Sequence, residues 1–314
     1  VKLVSTWKPA ESAKIAPEFP NVQWVAVKEE EDVLREVADA EVVFGHIGRD
    51  AFLAARQLRW IQNGGAGVEK LMAIPELVES DVVITNTSGA HVDTIAESAF
   101  GMLVYLCRNF KRLLQAQSDH VYIAQSDYRG VGLAGMTMGI VGLGNIGRAI
   151  GLRARAFGMK VIAVNARNTD APDWVDRCER LDGLPDLMAE ADVVVVCAPL
   201  TPLSRGMIGP AEIGRLKKGA YLIAVSRGGI IDEPALISSL ESGSLAGAGL
   251  DVQAIEPLPA ESPLWDAPNL ILTPHCSDIS DRTDAATSTI MQDNLRRYVA
   301  GEPLRNIVDK QVGY

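Results

Sequence analysis

Short β-branched runs alternate with segments of helical periodicity along almost the whole chain. In the first third, "KLVST" (2–6), "VQWVAV" (22–27), "EVVFG" (41–45), "RWIQN" (59–63) and "DVVITN" (81–86) predict strands. The stretches between them are helical: in "EEDVLREVADA", Val33, Leu34 and Val37 recur at helical spacing. A second series begins near residue 138 with "MGIV", "KVIAV" (160–164), "DVVVVCA" (192–198), "AYLIAV" (220–225), "GAGLDV" (247–252) and "LILT" (270–273). Strands joined through helices need crossover connections, which make a parallel sheet. Runs such as "VVVV" are apolar on both faces, as a central parallel strand requires. The pattern therefore predicts an α/β protein built on doubly wound parallel sheets. Between the two series, 91–117 reads as one long helix, weakened only at Gly101. A last helix at 282–301 is stopped by Gly301, with Pro303 just beyond.

Length and charge narrow the picture. The 314 residues exceed one comfortable core and suit two domains. A formal net charge of −10 argues against a nucleic-acid or anionic-membrane surface. The apolar runs are far shorter than a membrane span, and "VKLVSTWKPAES" carries neither the apolar core nor the cleavage pattern of a signal peptide. A cytoplasmic setting is expected. The four cysteines, Cys107, Cys178, Cys197 and Cys276, form no CxxC pair and read as free thiols. No spacing in the sequence suggests a metal site.

"GIVGLGNIGRAIG" places Gly142, Gly144 and Gly147 in G-x-G-x-x-G spacing, with an apolar strand before them and a helix after. That context, more than the spacing, marks a dinucleotide site. Gly142 permits the tight turn, Gly144 lets the backbone approach a pyrophosphate, and Gly147 lets helix and sheet pack closely. The helix start at Asn145 and Ile146 then offers N–H groups to the phosphates. A ligand-free strand–helix turn is the alternative.

Ligands in such sheets sit beyond the carboxyl ends of the strands. There the second series ends in Arg227, in Asp251 followed by Glu256, and in His275. Hydride transfer to or from a secondary alcohol needs an acid/base for the hydroxyl proton, and histidine titrates in the right range. A neighbouring carboxylate, Glu256, would fix its tautomer and favour its protonated form. The guanidinium of Arg227 offers a planar fork to a substrate carboxylate. A plain Arg227–Glu256 ion pair is the bland alternative. His46, His91 and His120 have no such neighbours and receive no catalytic role.

Taken together, "GLGNIG", "VSRGGIIDEPAL", "GAGLDVQAIEPLP" and "LTPH" resemble the D-isomer-specific 2-hydroxyacid dehydrogenase family, over nearly the whole chain. The resemblance implies two Rossmann-like domains with the active site in the cleft between them. Residues 1–93 plus 285–314 would form a flavodoxin-like substrate domain and 94–284 the dinucleotide domain, with the two long helices as hinges. It implies a homodimer acting on a small 2-keto or 2-hydroxy acid, similar to glyoxylate/hydroxypyruvate reductases. By position, Arg227 resembles the substrate-binding arginine, Glu256 the partner acid and His275 the acid/base. The turn of Gly65, Ala66, Gly67 and Val68 resembles a loop whose N–H groups receive the substrate carboxylate. Asp251 and the Val225 carbonyl resemble nicotinamide contacts, Pro199 and Thr201 the cofactor-lining stretch, and Thr94 a hinge-side cofactor contact. "PHCSD" departs from the usual small residues after the histidine, which leaves the substrate preference open at Cys276 and Asp278. Arg49 is a candidate for an acidic substrate tail, or else a solvated helix-start residue. A phosphoglycerate dehydrogenase-like enzyme lacking a regulatory domain, and a dinucleotide-sensing corepressor or scaffold, are the competing readings.

"VIAVNARN" (161–168) puts Asn165 where an acid would hold the ribose hydroxyls of NAD, and Arg167 two residues on. Asn165 removes the repulsion of a 2′-phosphate, and Arg167 adds a donor for it. The sequence thus favours NADP(H), with NAD(H) as the alternative if Asn165 simply bonds the ribose.

Overall fold

The computed structural model describes residues 1–8, 14–166 and 169–313, and the counts below refer to these. The chain divides into two compact units, Val1–His91 with Ser280–Tyr314, and Val92–Ile279.

The first unit carries five strands: β1 (Lys2–Ser5), β2 (Gln23–Ala26), β3 (Val42–Phe44), β4 (Trp60–Gln62) and β5 (Val83–Thr85). All their pairings are parallel, in the order β2-β1-β3-β4-β5. This is the flavodoxin-like order, whose switch point lies between the first and third strands. Alternation along each strand feeds two cores. Val4, Val43, Ile61 and Ile84 pack with Val33, Val37, Leu71 and Leu77 on one face. Leu3, Val42, Phe44 and Trp60 pack with Met291 and Leu295 of the Thr283–Ala300 helix on the other.

A buried polar chain runs through that second core. Trp60 Nε1 donates to Thr85 Oγ1 (2.8 Å), Thr85 Oγ1 donates to Gln62 Oε1 (2.8 Å), and Asn294 Nδ2 donates to the same Gln62 oxygen (2.9 Å). Asn294 also bonds both the carbonyl and the N–H of Arg305. Every polar atom in this line has a partner, as burial demands.

The second unit carries β6 (Thr137–Val141), β7 (Lys160–Val164), β8 (Arg177–Glu179), β9 (Val193–Val196), β10 (Ala220–Ala224), β11 (Leu245–Leu250) and β12 (Leu270–Leu272). The parallel order is β12-β11-β10-β9-β6-β7-β8, so the chain starts in the middle and winds outward twice. The order reverses between β6 and β9, which is where such a sheet takes its ligand. Within β9, Val194 and Val196 face one core and Val193 and Val195 the other.

The two-sheet α/β architecture agrees with the expectation from the sequence, with two local differences. Strand β8 is not in the predicted set: its three residues, Arg177, Cys178 and Glu179, are all half-buried at the sheet edge and carry no apolar run. The long helix expected over 91–117 is two helices, Val92–Cys107 and Phe110–Ser118. They part at Asn109, whose φ of +48° is left-handed, a conformation asparagine tolerates better than most residues. The Cys107 carbonyl is taken instead by the N–H of Val131 (2.7 Å). Gly101 stays within a continuous helix. At the far end, Gly301 ends the Thr283–Ala300 helix in the left-handed conformation, as its position predicts.

Asn294→Ala removes one buried donor and one acceptor and orphans their partners. It is expected to lower unfolding free energy by about 2–3 kcal/mol in chemical denaturation.

Candidate active site

Strand β6 runs directly into the glycine turn. Gly142 has φ +97°, and its N–H donates to the Val164 carbonyl (2.9 Å). A Cβ on Gly142 would sit 2.7 Å from the Ala198 nitrogen, so β6 and the end of β9 approach too closely for a side chain. A Cβ on Gly147 would lie 2.2 Å from the Gly142 carbonyl oxygen, which closes the helix onto the turn. Gly144 is different: nothing lies within 4 Å of its Cβ position. The chain is therefore crowded behind the turn and open at Gly144, where the Asn145–Ala156 helix begins. No acidic residue stands in the first turn of that helix, and Arg153 and Arg155 stand in its last turn. Both arrangements suit a helix whose positive end meets phosphate. The cradle fits the pyrophosphate of a dinucleotide.

Asn165 follows β7, and its N–H is fixed by the Glu179 carbonyl of β8 (2.9 Å). The Arg167 expectation falls outside the described residues. Pro199 and Thr201 follow β9, where Ser204 Oγ donates to the Pro199 carbonyl (2.6 Å) and accepts from the Thr201 N–H (2.8 Å). Val225 is buried beyond β10, its N–H on the Val196 carbonyl. Thr94 lies half-buried in the first turn of the Val92–Cys107 helix.

The titratable residues assemble around β10, β11 and β12. Asp251, just past β11, has no exposed surface. Its Oδ1 accepts from Thr273 Oγ1 (2.6 Å) and from the Cys276 N–H (3.0 Å), and its Oδ2 from the Ser277 N–H (3.0 Å). Its backbone carbonyl takes the His275 N–H (2.8 Å). The turn after β12 is thus wrapped around one carboxylate. Within that turn His275 has φ +50°, a left-handed geometry held in place by the bonds on either side.

The resulting reversal brings His275 Nδ1 to Glu256 Oε2 at 2.7 Å. Glu256 is itself positioned: its other oxygen, Oε1, accepts from the Gln253 N–H (3.0 Å). Gln253 is buried, and its amide donates to the carbonyls of Leu250 and Thr273. A carboxylate only accepts, so Nδ1 carries the hydrogen and Nε2 is left to exchange a proton. Arg227 follows β10 and is half-buried, one of its terminal nitrogens donating to the Ser226 carbonyl (2.7 Å). The loop behind it is packed hard on Gln253, since a Cβ on Gly228 would fall 1.8 Å from the Gln253 carbonyl oxygen.

Gln253 and Thr273 were missed as supports by the sequence reading. Both lie inside the quoted motifs, in "DVQAIE" and "LTPH", but nothing in their type announces a structural role. Cys276 is a thiol at neutral pH: burial, then the charges of Asp251 and Asp278, push it above the usual range.

In the first unit, the turn at Gly65–Val68 has its carbonyls occupied from behind. Asn63 Nδ2 donates to the Gly65 and Gly67 carbonyls (2.9 and 2.8 Å), and Asn86 Nδ2 to that of Ala66 (2.9 Å). Arg49 begins a short helix and pairs with Glu76 at the surface.

A glycine cradle at the switch point of one sheet and a carboxylate–imidazole pair beyond its outer strands define the dinucleotide-binding α/β class. The model of the D-isomer specific 2-hydroxyacid dehydrogenase NAD-binding domain matches residues 100–277. A D-3-phosphoglycerate dehydrogenase of Methanocaldococcus jannaschii is 30% identical over 95% of this chain, which spans only 57% of that relative's length. A glyoxylate reductase of Korarchaeum cryptofilum is 31% identical over 85% of this chain and 80% of its own. Among solved structures, a D-isomer specific 2-hydroxyacid dehydrogenase from Xanthobacter autotrophicus in complex with NADPH superposes with a TM-score of 0.85 at 28% identity, covering 100% of this chain and 99% of that one. The chain belongs to the D-isomer-specific 2-hydroxyacid dehydrogenase family, a family of NAD(P)-dependent oxidoreductases. No described helix is long and apolar enough to cross a membrane, and no described cluster of His, Cys, Asp and Glu could hold a metal.

Asp251→Asn turns one acceptor oxygen into a donor facing an N–H. It is expected to cost about 2–3 kcal/mol of stability by denaturant titration. It is also expected to lower turnover, because the His275 turn loses its anchor.

Proposed function

We propose that the chain reduces a 2-oxo acid to the D-2-hydroxy acid, in the manner of glyoxylate and hydroxypyruvate reductases. The observation that carries this reading is the His275 Nδ1–Glu256 Oε2 bond at 2.7 Å. Gly142, Gly144 and Gly147, with the helix start at Asn145 and Ile146, would hold the pyrophosphate. Pro199, Thr201, Val225, Asp251 and Thr94 would border the rest of the cofactor. A nicotinamide bound there would supply the hydride chemistry. His275 Nε2 delivers the proton to the keto oxygen in reduction and takes it from the hydroxyl in oxidation. Glu256 holds the ring in the tautomer that leaves Nε2 toward the substrate and stabilises the imidazolium from which the proton leaves. Arg227 binds the substrate carboxylate and polarises the adjacent carbonyl. The turn at Gly65, Ala66, Gly67 and Val68 is proposed to receive the same carboxylate, its N–H groups presented because side-chain amides already occupy its carbonyls.

NADP(H) is the favoured cofactor on this reading. Its support is Asn165, an uncharged residue at the end of β7 where an acid would repel a 2′-phosphate, together with the NADPH found in the Xanthobacter relative. Two copies are proposed to pair, supported by exposed apolar side chains on and after the Phe110–Ser118 helix: Phe110, Leu114, Val121 and Tyr122. Four free cysteines suit a reducing, cytoplasmic compartment.

A panel of glyoxylate, hydroxypyruvate and pyruvate with NADPH, followed by nicotinamide absorbance, tests the activity directly. Turnover of none of them would leave a cofactor-sensing protein on the same fold. His275→Ala is expected to lower kcat about 100-fold or more while NADPH still binds. Arg227→Ala is expected to raise KM and lower kcat together, and unchanged kinetics would reduce the arginine to a structural role. Asn165→Asp is expected to move the ratio of NADPH to NADH efficiency toward NADH by about tenfold or more, read from paired kcat/KM values.

A further inference from the structure

The first unit holds a cavity of about 590 Å³, inside the range of about 300–1,000 Å³ typical of small-molecule sites. It opens at the carboxyl ends of β1 and β3, the switch point of the flavodoxin-like sheet, where such sheets take their ligands. Thr6 follows β1 and His46 follows β3, and the two are stitched together. Thr6 Oγ1 donates to the His46 carbonyl and accepts from the His46 N–H, both at 2.9 Å. The Trp7 indole stands so close to Gly64 that a Cβ there would meet it at 2.4 Å. The wall is therefore preformed, and it reaches Gly64 and Gly65, the start of the turn assigned above to the substrate carboxylate.

Its charge is unlike that of the chain. The protein carries 40 acidic and 30 basic residues, yet the described lining contains Lys8, Lys28 and His46 and no carboxylate. The Lys8 ammonium is bonded to Asp284. Lys28 is exposed and forms no ion pair among the described residues. An ammonium paired with no described acid, at the mouth of a preformed cavity whose described lining holds no carboxylate, suits an anion. Glyoxylate or pyruvate, anchored by its carboxylate at the turn, would leave most of the space empty and Lys28 unused.

We infer that this cavity takes the far end of the substrate, and that the preferred 2-oxo acid bears a second anionic group, a carboxylate or a phosphate, contacted by Lys28. This rests on the dehydrogenase reading and extends it to the substrate class.

The test compares kcat/KM at fixed NADPH for pyruvate against oxaloacetate, 2-oxoglutarate and 3-phosphonooxypyruvate, in the native chain, Lys28→Ala and Lys28→Glu. The doubly anionic acids are expected to be favoured over pyruvate. That preference is expected to fall about tenfold in Lys28→Ala, as for loss of a charge-assisted hydrogen bond, and further in Lys28→Glu. Oxaloacetate against 3-phosphonooxypyruvate identifies the tail as carboxylate or phosphate. A preference for pyruvate, or a ratio that is the same in all three proteins, overturns the inference while leaving the dehydrogenase reading intact. Turnover of no 2-oxo acid overturns the dehydrogenase reading instead. In that event calorimetric binding of D-malate against D-lactate decides the cavity: tighter malate binding that weakens in Lys28→Ala supports it, and equal binding in both proteins sinks it.

Discussion

A carboxylate with no exposed surface has to be surrounded by donors, and Asp251 recruits them from a single turn. Thr273, Cys276 and Ser277 all donate to its two oxygens, while its own backbone carbonyl holds the His275 N–H. Because these bonds leave the turn one available path, His275 is set in a left-handed conformation that few side chains would adopt unaided. Gln253 extends the constraint by tying Leu250 to Thr273 through its amide and fixing Glu256 through its N–H. The imidazole–carboxylate pair is the visible end of this scaffold. A carboxylate–imidazole hydrogen bond this open to solvent would order two side chains only weakly on its own, so the geometry has to come from the buried residues behind it.

The two sheets were legible because parallel strands buried on both faces write themselves as apolar runs, "VVVV" of β9 being the plainest. The glycine turn was legible for a related reason: crowding at Gly142 and Gly147 leaves no other residue type room. Strand β8 was hidden because a short edge strand with half-buried, mostly charged residues has no pattern to show. The break at Asn109 was hidden because asparagine is compatible with a helix and with the left-handed conformation alike. At the site, Arg227, Glu256 and His275 could be named from residue type and strand-end position. Gln253 and Thr273 could not, since they act through backbone carbonyls and a neighbour's carboxylate.

The two glycine-containing turns solve opposite problems. At Gly144 the backbone is bare, and the crowding sits two or three residues to either side. At Gly65–Val68 the backbone is backed by amide side chains, so its carbonyls are spoken for and its polarity becomes one-sided. One turn owes its polarity to the start of a helix and the other to side-chain occupation of its carbonyls.

The first unit is interrupted in sequence: it runs to His91, and its remainder resumes only at Ser280. Its second core is closed by Met291 and Leu295, both without exposed surface, and its buried polar chain ends on Asn294. At about 5–20 residues per second of synthesis, roughly ten to forty seconds separate the appearance of β5 from that of the helix that covers it. During that interval Trp60 and Phe44 lack part of their packing, and Gln62 lacks the amide it finally bonds. The second unit, contiguous in sequence, has no such wait. The order in which the ribosome releases the chain therefore lets the Val92–Ile279 unit complete its packing while the other unit still waits for its closing helix.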